Sequence, residues 1–126
     1  MSAITCSAGT IKCNTIANWY LPTTIAPSNF TGLAAVNVNH AQDWRVYYHD
    51  TNGFVSELQG DNSGFDLGKR IGGSGMNASS IAAVNVNSTT NNINLFYVDR
   101  LTQALFQMEF AGGSWTQRKP STPHNI

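Results

Sequence analysis

The chain is poor in charge, and that scarcity excludes more than any residue present. Seven basic and seven acidic residues among 126 give a net charge of zero, and only 11% of the chain is charged. No basic stripe is available to neutralise phosphates, so nucleic acid and anionic membrane surfaces are excluded as partners. Strong helix formers are few as well: the glutamates are Glu57 and Glu109, the lysines Lys12, Lys69 and Lys119. No apolar run reaches the length of a membrane span, which predicts no membrane insertion. Cysteine is limited to Cys6 and Cys13. No further ligand stands near them at metal-binding spacing, so no metal or cofactor is expected. A hairpin centred on Ala8-Gly9-Thr10 would set the two opposite each other, as a disulfide or as two small buried thiols. Met1 to Ile16 is polar and lacks the charged and apolar regions of a secretory signal, which leaves cytosol and secretion both open.

The chain is filled instead by Asn, Thr, Ser and Gly, the turn formers of an all-β protein. The strongest pattern is a repeat. Gly32-Leu33-Ala34-Ala35-Val36-Asn37-Val38-Asn39 returns as Ser80-Ile81-Ala82-Ala83-Val84-Asn85-Val86-Asn87, 48 residues later. The match continues beyond each copy: Trp44-Arg45-Val46-Tyr47-Tyr48-His49-Asp50 pairs with Ile93-Asn94-Leu95-Phe96-Tyr97-Val98-Asp99. A period of this length made of short apolar runs indicates β-propeller blades of four antiparallel strands.

The second blade, 32–79, divides into strands Leu33–Asn39, Trp44–His49, Phe54–Gln59 and Phe65–Ile71. A tight turn lies at Asp50-Thr51-Asn52-Gly53, with Asn-Gly expected to take positive φ. The third blade, 80–119, repeats the plan as Ile81–Asn87, Ile93–Val98, Ala104–Phe110 and Trp115–Lys119. Residues 1–31 fit a partial blade without its inner strand: Ala3–Ser7, Thr10–Thr15 and Trp19–Thr24. The 126 residues therefore form one domain of about two and three-quarter blades, with 120–126 as a tail or closing strand. A propeller avoids open edges only by closing, so the chain is expected either to assemble with copies of itself or to be a piece of a longer protein. A homodimer giving six blades is the simplest closure.

The sequence Leu-Ala-Ala-Val, then Arg-Val-Tyr-Tyr, then Asp-x-x-Gly and Glu resembles the fungal fucose-specific lectin family. The similarity spans about Gly32 to Trp115. It implies a six-bladed propeller that is a lectin and not an enzyme, with fucosylated glycans as partners and a sugar pocket between adjacent blades. An Arg on the second strand and a Glu on the third would hold the sugar hydroxyls, and two aromatic residues of the following blade would pack on the ring. Those positions are Arg45, Glu57, Phe110 and Trp115. A second, weaker pocket would use Asn94 and Gln107 in place of Arg and Glu, with Trp19 of a neighbouring copy as its wall. In the first blade the polar positions fall at Ala3 and Cys13, and that pocket should be empty.

The residues themselves support a neutral ligand. Arg presents a fork of donors and Glu accepts, so an opposed pair satisfies hydroxyls that both donate and accept. The plainer alternatives are a solvated cross-strand ion pair for Arg45 and Glu57 and blade-to-blade packing for Phe110 and Trp115. Trp44, Tyr47, Tyr48, Phe96 and Tyr97 are assigned to core or interface. His40, His49 and His124 are isolated and read as solvent-facing, and Glu109 as an edge residue in solvent. A propeller glycosidase would need two carboxylates about 5 to 9 Å apart, and Glu57 has no evident acidic companion. The remaining alternative is a non-catalytic assembly scaffold whose sugar sites have decayed.

Overall fold

The computed structural model describes residues 3–6, 13–16, 25–29, 31–38, 43–61, 64–65, 69–74, 79–87 and 91–118. Eleven strands are formed among the described residues. They are β1 (Ala3–Cys6), β2 (Cys13–Ile16), β3 (Leu33–Val38), β4 (Asp43–His49), β5 (Phe54–Asp61), β6 (Gly64–Phe65), β7 (Lys69–Ser74), β8 (Ile81–Asn87), β9 (Asn92–Val98), β10 (Leu105–Ala111) and β11 (Ser114–Arg118). All named pairings are antiparallel. The first sheet is the β1–β2 hairpin, the middle sheet runs β3-β4-β5, and the C-terminal sheet runs β8-β9-β10-β11.

In the middle sheet the outer position is shared by two strands. β6 pairs with the Gly60–Asp61 end of β5, and β7 with Phe54 to Glu57. The sequence pattern predicts one strand here, at Phe65–Ile71. The register of β7 instead slips twice, between Phe54 and Val55 and between Val55 and Ser56. Gly72 and Gly73 take positive φ beside these slips, at 128° and 62°, as a bulged strand requires. At the β4–β5 turn only Gly53 is left-handed, at 83°. Asn52 is not needed there, because the Asp50 carboxylate accepts from the backbone N–H of Asn52 and Phe54 at 2.8 and 3.0 Å. Arg70 closes this corner, donating to Asp50 at 2.6 Å while its guanidinium lies 4.7 Å from the centre of the Phe54 ring.

The hairpin pairs Cys6 with Cys13, in keeping with the symmetry of its sequence, and Thr5 with Asn14. In both larger sheets, the third-strand site position lies opposite the residue two beyond the second-strand one: Glu57 faces Tyr47, and Gln107 faces Phe96. With Ala3 in the place of Arg45, the same rule selects Asn14 and not Cys13. Trp19, the expected strand Trp19–Thr24 and the tail 120–126 lie outside the described residues.

The two large sheets pack face to face. Their core unites Val38, Tyr47, Val55 and Ile71 of the middle sheet with Ile81, Ile93, Leu95, Tyr97 and Met108 of the C-terminal sheet. Each fully buried aliphatic side chain there contributes about 1.5–3 kcal/mol. The inner strands repeat their sequence but not their environment. On β3, Ala34 and Val36 pack against the core and Val38 is fully buried. On β8 the matching Ala82, Val84 and Val86 are exposed, Val84 by 48% and Val86 by 58%. The middle sheet has a neighbour on that face, and the C-terminal sheet has none among the described residues. Asn85 bridges the inner strands, donating to the carbonyl of its repeat counterpart Asn37 at 3.2 Å.

His49 is not solvent-facing but fully buried, and neither ring nitrogen has a hydrogen-bond partner among the described residues. Strand alternation decides this: His49 shares the inward face of β4 with Arg45 and Tyr47. Burial holds its pKa below the ordinary imidazole value, with Asp50 opposing. The unfolded chain therefore binds this proton more readily than the native one. Stability should be full above about pH 6.5 and fall as the pH drops below it, by about 1.4 kcal/mol per pH unit until the native value is reached. The repeat supplies the control, since Val98 stands at the same place on β9. Melting temperatures between about pH 7 and pH 5 should decline for the wild type and stay flat, and higher, for His49→Val. Parallel curves would contradict this account.

Candidate functional site

The site is built from strand alternation on β4. Asp43, Arg45 and Tyr47 project to one face, and cross-strand pairing sets Glu57 of β5 directly opposite Tyr47 and diagonal to Arg45. Lys69 of β7 lies opposite Glu57 on its other side. The result is a continuous polar row across three strands. Arg45 donates through Nε to Asp43 Oδ1 at 2.9 Å and through Nη2 to Asp43 Oδ2 at 3.3 Å, and through Nη1 to Glu57 Oε1 at 3.4 Å. The Tyr47 hydroxyl donates to Glu57 Oε2 at 3.0 Å, and Lys69 Nζ stands 3.2 Å from Oε1.

This row is not a solvated ion pair. Arg45 is 6% exposed and Glu57 1%. Burial works against the guanidinium charge, but the Asp43 and Glu57 carboxylates outweigh it and hold the Arg45 pKa above its already high range. Burial first, and then the Glu57 charge, push the Tyr47 hydroxyl far above the usual phenol range, so at Glu57 it acts only as a donor.

The aromatic wall comes from the other sheet. Phe110 on β10 and Trp115 on β11 face each other in register, with ring centres 5.4 Å apart. Trp115 meets Tyr47 edge-on, at 5.8 Å between centroids and an interplanar angle of 84°. Both wall residues are partly buried and pack against the core, so they serve as inter-sheet packing whatever else they do. The Trp115 indole N–H is buried and has no hydrogen-bond partner among the described residues. Tyr47 joins the two halves, hydrogen-bonded to Glu57 on one side and in edge contact with Trp115 on the other.

Three members of this network are not among the site residues expected from sequence. Tyr47, assigned to the core, is fully buried but hydrogen-bonded to the site carboxylate. Its signal is the spacing of two from Arg45, which on a strand means the same face. Asp43 carries the same spacing on the other side, and it supplies the acidic companion that Glu57 was expected to lack. Both carboxylates are engaged by one guanidinium. Lys69 has no usable signal, because its place depends on the bulged β7 register.

In the C-terminal sheet the corresponding row is Asn92, Asn94, Phe96, Gln107 and Arg118. Gln107 Nε2 donates to Asn94 Oδ1 at 3.1 Å, so the charged pair is replaced by a neutral, mutually satisfied one. Arg118, opposite Gln107 as Lys69 is opposite Glu57, turns instead to Glu109 and forms an ion pair. Glu109 is partly buried and lies directly opposite Asn94, so it belongs to this face and is not simply an edge residue in solvent. Among the described residues no group of three His, Cys, Asp or Glu side chains is arranged to hold a metal, and no helix is long and apolar enough to cross a membrane. A groove of about 220 Å³ between the starts of β3 and β8 is lined by Thr31, Gly32, Leu33, Ser79, Ser80 and Ile81, none of them a residue of the site.

No known family profile matches the chain, and no curated protein does. Among solved structures, it is similar to a fucose lectin from Kordia zhangzhouensis in complex with methyl-fucoside. The TM-score is 0.60 at 16% sequence identity, over 96% of this chain and 90% of that one. At that identity the likeness shows the fold: an all-β arrangement of four-stranded, blade-like antiparallel sheets.

Proposed function

We propose that this protein is a carbohydrate-binding lectin, specific for L-fucose and fucosylated glycans, with its principal pocket at Arg45, Glu57, Phe110 and Trp115. One observation supports the reading: a buried Arg–Glu pair whose hydrogen-bonded neighbour Tyr47 meets Trp115, an aromatic residue whose indole N–H lacks a partner among the described residues. A neutral sugar offers no charge to grip, only hydroxyls and apolar C–H faces. Arg45 and Glu57 match hydroxyls that donate and accept, and charge assistance makes such bonds roughly twice as strong as neutral ones. The Trp115 and Phe110 rings cover an apolar face and shelter the methyl group of a 6-deoxy sugar, worth about 0.8 kcal/mol per buried carbon. The fucose lectin from Kordia shares the fold, which supports the ligand class.

Two copies closing a six-bladed ring complete the picture. The exposed Ala82, Val84 and Val86 face of β8 is the face that β3 buries against the next sheet, and a second copy of this chain would cover it in the same way. Closure would also bring Trp19 of the partner over Asn94 and Gln107 as the wall of a weaker second pocket. Several sites on one rigid ring raise avidity without new contacts. The scaffold alternative draws on one feature, the self-satisfied Asn94–Gln107 pair, which leaves fewer groups for a ligand.

Calorimetric titration with L-fucose, with galactose as control and the mass in solution measured alongside, separates these readings. Saturable fucose heat near one site per chain supports the principal pocket, and near two restores the second. A silent titration at millimolar sugar rejects the lectin in favour of the scaffold. A monomeric mass rejects the closed ring.

A further inference from the structure

The buried Glu57 carboxylate sets a condition on any ligand. It is 1% exposed, and both of its oxygens are already engaged: Oε1 by Arg45 and Lys69, Oε2 by Tyr47. With so little of the carboxylate exposed, a sugar hydroxyl reaches it only after one of the groups covering it gives way. Arg45 is held by Asp43 through two of its nitrogens. Tyr47 is fully buried, its ring set against Trp115. Lys69 differs from both. It stands on the outer strand with its side chain 55% exposed, and its ion pair among the described residues is to Glu57 alone.

Resting on the sugar-binding reading of this pocket, we propose that the Lys69 ammonium is a displaceable lid. In the free protein it holds the place at Glu57 Oε1 that a sugar hydroxyl takes on binding. The exchange is balanced: one donor at 3.2 Å leaves the carboxylate, another arrives, and the freed ammonium enters water, where hydration offsets most of the lost ion pair. Asp43, Arg45, Glu57 and Lys69 sum to zero charge while the lid is closed, so the carboxylate is never left without a cation before the ligand comes. The device also selects. A ligand group without a hydroxyl donor leaves Glu57 poorly satisfied once the lysine has gone, and an anionic group is repelled by it. The C-terminal sheet shows that the cation follows the carboxylate. Its Arg118, at the place of Lys69, abandons the neutral Gln107 for Glu109.

The experiment is L-fucose titration of the wild type, Lys69→Met and Lys69→Arg, with acylation of lysine amines followed by mass spectrometry as a second readout. Lys69→Met is expected to bind about two- to five-fold tighter, the range that an exposed ion pair supports, and Lys69→Arg to return to the wild-type value. Saturating fucose should speed acylation of Lys69 in the wild type while leaving Lys12 and Lys119 unchanged. A Lys69→Met protein that binds no tighter than a binding wild type overturns the lid and leaves the pocket standing. Failure of all three proteins to bind overturns the pocket and the lid together. The lysine side chain is more than half exposed, so a melting temperature close to wild type is expected for both variants, and a large drop would itself contradict the lid.

Discussion

Replacing Arg45 with alanine is expected to destabilise the protein by about 3 kcal/mol, because it strands the buried Glu57 carboxylate with only Tyr47 and Lys69 as donors. Loss of sugar binding in that variant would therefore be ambiguous between a missing contact and a loosened fold. The chain contains its own solution. The C-terminal sheet packs Asn94 and Gln107 at the equivalent positions, bonded at 3.1 Å. Transplanting that pair as Arg45→Asn with Glu57→Gln removes both charges together and leaves no buried ion uncompensated. The double variant should be less destabilised than Arg45→Ala, since only the partly buried Asp43 and the exposed Lys69 lose their ionic partners. Its fucose affinity should nevertheless fall by about two orders of magnitude, the loss of two charge-assisted bonds. Scanning calorimetry and sugar titration on the same samples separate the two effects. A double variant as unstable as Arg45→Ala would show that the pair matters for shape and not for charge compensation.

Gly32→Ala should be strongly damaging although it lies outside the site. A Cβ built on Gly32 would sit 2.4 Å from the carbonyl oxygen of Ser79 and 2.9 Å from the backbone nitrogen of Ile81. Both obstacles are backbone of the adjoining strand, so no side chain can rotate out of the way. The sheets must separate or β3 must bend, at about 2–3 kcal/mol. For a chain of this size that corresponds to a fall in melting temperature on the order of 10 °C. The position also explains a difference between the repeats. Ser80 matches Gly32, and a side chain is tolerated there because the strand after it has no such neighbour among the described residues. Ser80→Ala should change stability by less than about 0.5 kcal/mol. Because the pocket takes Arg45 and Glu57 from one sheet and Phe110 and Trp115 from the other, Gly32→Ala should weaken sugar binding in step with stability. Binding that survives full loss of the inter-sheet packing would mean that one sheet suffices.

Particular residues mark how far the sequence can be read. The Ala-Ala-Val repeat locates both inner strands, because small residues and a period of two leave few other arrangements. The sequence spacing names Phe110 and Trp115, and the fold sets Trp115 against Tyr47, the residue hydrogen-bonded to Glu57. Tyr47 and Asp43 are legible by the same alternation, but an aromatic residue beside a repeat reads first as packing. His49 reads as exposed for a related reason: an isolated imidazole carries no periodic partner to reveal which face it takes.

By itself the sequence determined the all-β class, the repeat, the main strands of the two larger sheets and the register positions of the polar pair. These depend on local propensity and on the period of a strand, both of which are written in neighbouring residues. Only the tertiary structure decided that the Arg45–Glu57 pair is buried, that Lys69 closes over it, and that the β8 face is open where the β3 face is covered. Burial and closure depend on which sheet lies against which, and so on residues far apart in the chain. The two inner strands are nearly identical as sequence, and they differ in environment because one has a neighbour and the other has none among the described residues.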